Sequence, residues 1–197
     1  MQVIHRVAEF TIRHWLFKGK ALIVTGARQV GKTTMLQRIF KDKDNVLWLN
    51  ADETNVKERL EVLNIESLKA VIGNDRIVII DEIQRVTNAG LLLKILVDNF
   101  KETQIIATGS SALDISERIF EPLTGRHLLF HLYPFSLAEL YKGKSGFEIE
   151  QQLPFHLVYG NYPDICNNRF DAETLLKNLS NQYLYEDVLV WKDIRKP

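Results

Sequence analysis

The sequence has 197 residues, of which 25 are acidic and 25 basic, so its formal net charge is zero. This length is enough for one domain, or for one domain and the start of another, with a buried core. The balanced charge excludes a global basic field that would attract nucleic acid, although a local basic face stays open. Cys166 is the only cysteine, and no apolar run approaches the roughly 18 residues of a membrane span. These features indicate a cytoplasmic protein without a membrane partner.

Apolar runs alternate with helical patterns through the first two-thirds of the chain. The first predicted helix, within residues 3–18, has an apolar stripe at Val3, Val7, Phe10 and Phe17. Strands are predicted at 21–25, 46–50, 77–81, 105–108 and 127–133, with helices between them at 32–41, 54–72 (as one or two pieces), 89–100 and 111–120. Buried strands separated by helices are typical of an α/β fold in which helices cover both faces of a parallel sheet.

The pattern changes at Pro134, beyond which only helices are predicted. Ser136 precedes the first of them, and its spacing to Glu139 is that of a capping box. Two more helices are predicted at 148–159 and at 171–195, the second with Asp171 as N-cap. Because the last one stays apolar to its end without a glycine stop, we expect a longer natural chain. The predicted domains are a core at 1–133 and a helical, lid-like segment at 134–197.

Residues 26–33 read GARQVGKT and match the P-loop pattern G-x-x-x-x-G-K-[ST] between a predicted strand and helix. Gly26 and Gly31 allow a tight loop around phosphate, and the helix dipole starting near Lys32 favours the same anion. Lys32 is predicted to lie between the β- and γ-phosphates of ATP, and Thr33 to bind Mg²⁺. The predicted nucleotide-contacting residues are Gly26, Ala27, Arg28, Gln29, Val30, Gly31, Lys32, Thr33 and Thr34. The alternative is a glycine turn with an accidental Lys-Thr pair.

Two acids follow the apolar strand IVII, and polar residues follow the strand IIAT. Ligands bind at the carboxyl ends of strands in open parallel sheets. Asp81 is therefore predicted to hold Mg²⁺ and Glu82 to polarise the attacking water, against the alternative of two solvated acids. Ser110 is our choice for a residue that orients this water or senses the γ-phosphate, with Thr108 as the alternate. Ser110 can equally be a helix N-cap.

The segments GARQVGKTT, IVIIDEIQ, IIATGSSA, LTGRHLLFHLYPFSLAEL and YGNYPDI occur in this order. With this spacing the chain resembles a group of bacterial and archaeal AAA+-type ATPases, from about Arg6 to Ile194. In such proteins an uncharacterised, nuclease-like domain follows the ATPase core, and the resemblance implies that this chain ends before it. The resemblance also implies that the strand before Ser110 lies between the P-loop strand and the strand of Asp81. It assigns Glu82 as hydrolytic base and Ser110 as sensor.

In AAA+ proteins a Gly-Arg pair before the fifth strand commonly supplies an arginine finger to a neighbouring subunit. Arg126 matches this place, which implies a homo-oligomer, and the alternative is a structural ion pair. Asn50, at the end of the second strand, is a candidate for holding Glu82 inactive. The chain departs from the family at the sensor position, which holds a Ser or Thr where the family has Asn. It also lacks a recognisable arginine at the family's second sensor position. Arg169 and Arg195 are the only arginines after residue 134.

A basic N-terminal stretch is interpreted as solvated, with contact to the nucleotide base as the alternative; it contains Arg6, Arg13, Lys18 and Lys20.

The function predicted from these motifs is an ATPase core that drives an attached effector domain or a partner. A non-hydrolysing, nucleotide-gated interaction module is the main alternative, disfavoured because both Lys32 and Glu82 are present. A small-molecule kinase is less consistent with Glu82 directly after Asp81 and with few arginines after residue 134. No N-K-x-D tetrapeptide for guanine recognition occurs in the sequence, which argues against a GTPase. Whether nucleic acid is a partner stays open.

Overall fold

The computed structural model of the chain describes residues 4–109 and 121–182. The chain divides into two compact units. The first, His5–Tyr133, is called the core unit below. The second begins at Pro134, also includes Ile4, and is called the helical unit. The predicted helix at 111–120 and the second half of the helix predicted at 171–195 lie outside the described residues. Within the described ranges, no helix has the length and apolar character required to cross a bilayer.

A five-stranded parallel sheet forms the centre of the core unit, with the strand order β2-β3-β4-β1-β5. The strands are β1 (Ala21–Thr25), β2 (Val46–Asn50), β3 (Ile77–Asp81), β4 (Gln104–Gly109) and β5 (His127–His131). The α/β prediction is confirmed, and β4 lies between β1 and β3 as the resemblance implied. β5 is shorter than predicted. Its partner β1 ends before the turn at Gly26, so only Leu132 N still reaches Thr25 O, at 2.7 Å.

Helices cover both faces of this sheet. They are α1 (Val7–Trp15), α2 (Lys32–Phe40), α3 (Thr54–Glu61), α4 (Ile65–Ile72) and α5 (Ala89–Asn99), with a 3₁₀ turn at Ile83–Arg85 after β3. Side chains alternate along each strand. Leu22 and Val24 of β1 pack in one buried cluster with residues of α1 and α2. Ala21 and Ile23 face the other way, into a cluster with residues of α3, α4 and α5.

The apolar stripe predicted for α1 does not face the core, so this part of the sequence interpretation is wrong. Its described members are exposed by half or more: Val7 (68%), Phe10 (80%) and Phe17 (50%). The buried face contains Ile12 and Glu9 instead. The Glu9 carboxylate is stabilised there because it accepts hydrogen bonds from Arg38 and from the Arg6 backbone N–H. Helical periodicity identifies a stripe but does not decide which face packs inward.

The described residues of the helical unit form helices and turns but no strand. The helices are α6 (Leu137–Leu140), α7 (Gly146–Tyr159), α8 (Pro163–Asn167) and α9 (Ala172–Gln182), with a 3₁₀ turn at Arg169–Asp171. The predicted capping box is confirmed, since Ser136 Oγ accepts from Glu139 N at 3.2 Å and Glu139 Oε2 accepts from Ser136 N at 2.9 Å. A second box, between Ser145 and Glu148, starts α7 two residues earlier than predicted.

Candidate nucleotide-binding site

The loop between β1 and α2 depends on two glycines. Gly26 has a φ of +151°, and a Cβ at this position would lie 2.3 Å from the backbone oxygen of Leu132. Gly31 has a φ of 94° and is the N-cap of α2. A side chain would strain the backbone at both positions and would also collide with the segment after β5 at Gly26. The loop therefore turns tightly into the N-terminus of α2, whose partial positive charge favours phosphate.

Lys32 is the first residue of α2, and its side chain folds back over the loop. Its Nζ donates to Gly26 O at 2.9 Å and to Ala27 O at 3.0 Å. The residue is only 5% exposed. A buried ammonium group needs electronegative partners, and the loop carbonyls supply them here. This position puts a full positive charge directly above the loop that the motif assigns to phosphate.

Thr33 and Asp81 lie together although 48 positions separate them in the chain. Thr33 Oγ1 donates to Asp81 Oδ2 at 2.8 Å. Hydroxyl and carboxylate oxygens are ligands suited to Mg²⁺, which usually keeps several waters and takes further oxygens from substrate phosphates. The donor set therefore fits Mg²⁺. No group of three or more His, Cys, Asp or Glu side chains within 4–109 and 121–182 forms a separate metal cluster.

Thr108 connects the two acids at the carboxyl end of β3, Asp81 and Glu82. Its hydroxyl donates to Asp81 Oδ1 and accepts from the backbone N–H of Glu82 at 3.2 Å. Thr108 is completely buried on β4. The structure thus gives definite contacts to the residue that the sequence offered as the alternate sensor. Ser110, the first choice, lies outside the described residues, and its role stays a prediction.

Glu82 follows β3 in a left-handed backbone conformation, with a φ of 53° and a ψ of 46°. This conformation is uncommon for a residue with a side chain and occurs often at functional sites. The carboxylate accepts a hydrogen bond from Gln84 Nε2 through Oε2. Asn50, the candidate for restraining Glu82, instead accepts from Asp52 N at 3.0 Å. Sequence reasoning did not single out Gln84, although it lies in the segment IVIIDEIQ.

Arg126 lies at the end of the sheet away from the P-loop. Its carbonyl accepts from Ala21 N at 2.9 Å, at the amino end of β1, whereas the P-loop follows the carboxyl end. Five strand residues separate the two ends by about 16 Å. Arg126 therefore cannot reach the phosphate site of its own chain.

The side chain of Arg126 forms the ion pair that the sequence left as an alternative. Its Nε lies 2.8 Å from Asp98 Oδ1, and the two side chains are 39% and 35% exposed. The hydrogen bond from Arg126 holds the pKa of the Asp98 carboxyl below its usual value, more than the charge does. The pair leaves a partly exposed guanidinium on the surface.

Arg6 is buried, so the interpretation of a solvated N-terminal stretch is wrong for this residue. Its Nη1 donates to Val30 O in the P-loop at 3.1 Å, and its Nη2 donates to Tyr133 O. Only 7% of Arg6 is exposed. One guanidinium thus connects the P-loop to the segment after β5. No sequence pattern distinguishes this arginine from exposed Arg13, because its partners are backbone carbonyls that only the fold brings near.

In the helical unit, Arg169 packs within its own unit. It donates to Tyr141 Oη at 2.7 Å and to Gln152 Oε1 at 2.5 Å, and its guanidinium lies 4.6 Å from the centre of the Phe155 ring. Tyr141 Oη is in turn 2.6 Å from His156 Nε2. These contacts describe a structural network around α7. Arg195 lies outside the described residues.

Comparison with known proteins gives a family match and several relatives. The model of the AAA_14 family, described as an AAA domain, matches residues 18–141. An uncharacterised protein of Haemophilus influenzae is 25% identical over 183 residues, which cover 84% of this chain and 45% of that protein. An uncharacterised protein of Mycobacterium bovis is 27% identical over 141 residues, covering 71% of this chain and 31% of that protein. The chain thus spans less than half the length of these relatives.

Solved structures that share the fold include the following three. A Walker-type ATPase of Pyrococcus abyssi has a TM-score of 0.53 at 18% identity, covering 93% of this chain and 75% of that chain. A signal transduction ATPase with numerous domains and a tetratricopeptide repeat sensor, from Pyrococcus horikoshii, has a TM-score of 0.52 at 15% identity, covering 84% and 29%. The Orc1 protein of Aeropyrum pernix in complex with DNA has a TM-score of 0.52 at 12% identity, covering 71% and 48%.

Proposed function

Because the chain belongs to the AAA_14 family of AAA domains, we propose that its P-loop ATPase core binds ATP with Mg²⁺ and hydrolyses the bond to the γ-phosphate. The observation that carries this proposal is the hydrogen-bonded series Thr33, Asp81, Thr108 and Glu82 beside the P-loop. A loop that only bound phosphate would not need a second carboxylate at this end of the sheet. Hydrolysis does, because a water must be oriented toward the γ-phosphate.

Each side chain has a distinct role in this proposal. Lys32 exchanges its contacts with the loop carbonyls for phosphate oxygens and neutralises their charge. Thr33 and Asp81 hold Mg²⁺, which supplies charge stabilisation to the phosphate oxygens when bound. Glu82 accepts a hydrogen bond from the attacking water and orients it. The sensor role belongs to Ser110, with Thr108 as alternate, and the contact of Thr108 to both acids supports the alternate.

Arg126 is proposed to act in a neighbouring subunit. Its distance from its own P-loop supports action only between copies of the chain, and its partial exposure leaves the guanidinium accessible. The alternative is that the ion pair with Asp98 is the whole purpose of Arg126. Asp98→Asn removes the pair and keeps the arginine, so this variant separates the two roles.

The ATPase core at 1–133 is further proposed to drive an effector attached through the helical segment at 134–197. The compact helical unit and the greater length of the relatives support this division. The multidomain architecture named for the P. horikoshii protein is an analogous arrangement at the level of the fold. A cytoplasmic location is part of the same proposal and is supported by the single cysteine.

The first test is nucleotide binding and turnover in matched variants. Lys32→Ala is expected to weaken MgATP binding by about 10- to 150-fold, the equivalent of one charge-assisted hydrogen bond. Lys41→Ala, at the exposed end of α2, is the control and is expected to bind normally. Glu82→Gln is expected to keep MgATP binding and to lower turnover by about a hundredfold or more. Normal turnover in Glu82→Gln would refute its assignment as the base.

The second test measures the hydrolysis rate per subunit as protein concentration is raised. A rate that climbs with concentration in wild type and in Asp98→Asn, but collapses in Arg126→Ala, is the expected result. Equal loss in Asp98→Asn and Arg126→Ala would identify the ion pair as structural and refute the arginine finger. Tight MgATP binding without turnover at any concentration would instead favour the nucleotide-gated interaction module for this chain.

A further inference from the structure

The side chain of Gln84 contacts the carboxylate that the proposed function assigns as the base. Gln84 lies in the 3₁₀ turn after β3, is half-buried, and donates through Nε2 to Glu82 Oε2. Gln84 and Glu82 are two positions apart, and the one residue between them, Ile83, is completely buried. The buried Ile83 anchors the turn, and the polar side chains on either side of it meet.

The backbone of this turn is held by hydrogen bonds of its own. Arg85 N donates to Glu82 O at 3.0 Å, and Val86 N donates to Ile83 O at 3.0 Å. Val86 is 3% exposed. The backbone N–H of Glu82 is held by Thr108 Oγ1. These backbone hydrogen bonds hold the turn, and the contact from Gln84 Nε2 acts on the Glu82 carboxylate.

A glutamate side chain has three rotatable bonds, and its carboxylate must be oriented before it can direct a water molecule. The contact with Gln84 fixes one oxygen, Oε2. The other oxygen, Oε1, accepts no hydrogen bond from the part of the chain that the structure describes, so it can accept one from water. We infer that Gln84 is a positioning residue that aims Glu82 at the attacking water. This inference rests on the proposed hydrolysis with Glu82 as base.

The contact makes a kinetic prediction that uses two variants in the same turn. Gln84→Met keeps the length of the side chain but removes the N–H donor. We expect kcat to fall roughly ten- to a hundredfold, since misplacement of a reacting group by about 1 Å has effects of this size. The KM and the MgATP dissociation constant, measured by calorimetry, are expected to stay within about twofold of wild type. Arg85→Ala is the control, because Arg85 is exposed and bonds Asp52 instead of Glu82.

A double-mutant cycle separates positioning from a structural contribution. If Gln84 acts only through Glu82, Glu82→Gln combined with Gln84→Met turns over at the same rate as Glu82→Gln alone. A residue that merely stabilised the fold would lower the rate further in the combined variant. As a readout independent of activity, a crystal structure of Gln84→Met is expected to show the Glu82 side chain in more than one rotamer.

The outcomes distinguish this inference from the proposed function. Reduced turnover in Glu82→Gln with normal or faster turnover in Gln84→Met would refute only the positioning role, and faster turnover would identify Gln84 as a brake. A loss in Gln84→Met that is matched by weaker MgATP binding, or that adds to the loss in Glu82→Gln, would also refute positioning. Normal turnover in Glu82→Gln would refute Glu82 as the base and, with it, this inference. No turnover in wild type would refute the proposed hydrolysis and this inference together.

Discussion

Replacing Thr108 with valine removes one hydroxyl group and keeps almost the same shape. This hydroxyl donates to Asp81 Oδ1 and accepts from Glu82 N at 3.2 Å, and Thr108 has no exposed surface. Valine fills the same space, so the packing of β4 is retained. What changes is that one carboxylate oxygen and one backbone N–H lose a partner in a partly buried environment.

The expected loss of stability follows from these two hydrogen bonds. A bond to a charged group contributes about 1.5–3 kcal/mol and a neutral bond about 0.5–1.5 kcal/mol. Asp81 keeps its second oxygen bonded to Thr33 at 2.8 Å, which moves the expected loss toward the lower half of the sum. We therefore expect Thr108→Val to lower the free energy of unfolding by about 2–3 kcal/mol.

Chemical denaturation monitored by fluorescence or circular dichroism measures this loss, and Thr25→Val is the matched control. Thr25 is equally buried on β1, but its hydroxyl lies 3.1 Å from His131 Nδ1, an exposed ring that water can satisfy instead. The control is expected to lose about 1 kcal/mol or less. Equal losses in the two variants, or none in Thr108→Val, would refute the claim that Thr108 stabilises the acid pair. Turnover should fall in Thr108→Val but not in Thr25→Val.

Three further predictions concern the loop, the ion pair and the cysteine. Gly26→Ala is expected to prevent MgATP binding and to lower the melting temperature, since its Cβ would lie 2.3 Å from Leu132 O; normal binding in a titration would show that the loop can shift. Because Arg126 lowers the pKa of Asp98, wild type should have a larger free energy of unfolding than Asp98→Asn at neutral pH. This difference should disappear as the pH falls below about 4 toward the pKa of Asp98 in the folded protein. A difference in denaturation midpoints that stays constant across this pH range would contradict the prediction. Burial raises the pKa of the Cys166 thiol. Iodoacetamide should therefore alkylate Cys166 more slowly in the folded protein than in the urea-unfolded protein near pH 8. Equal alkylation rates would argue against a desolvated thiol.

The secondary structure of the core could be predicted from the sequence because its signals are local. The run IVIID is apolar for four residues and ends in a carboxylate, and the observed strand β3 has the same bounds. Gly26 and Gly31 mark two loop positions whose backbone conformation favours a residue without a side chain, and both have a positive φ in the structure. The capping box at Ser136 is likewise a property of four consecutive residues.

The sequence failed where partners come from distant segments or from the backbone. Arg6 has the composition of a surface residue, but Val30 and Tyr133 place two carbonyls within its reach. The stripe predicted for α1 is exposed, and a second apolar face, with Ile12 and Trp15, packs on the core beside buried Glu9. Periodicity describes an isolated helix, whereas the choice of face depends on all the contacts the helix makes.

For the candidate site, the sequence by itself determined the residue types and their order: a P-loop with Lys32 and Thr33, then Asp81 and Glu82 after a buried strand. Local chain geometry and side-chain chemistry are enough to predict those. The tertiary structure alone decided that Thr33 and Thr108 both bond Asp81 and that Gln84 bonds the Glu82 carboxylate. The contact between Gln84 and Glu82 joins residues two positions apart and depends on the turn after β3. The contacts of Thr33 and Thr108 with Asp81 depend on the strand order β3-β4-β1, which brings residues from distant parts of the chain to the carboxyl end of the sheet.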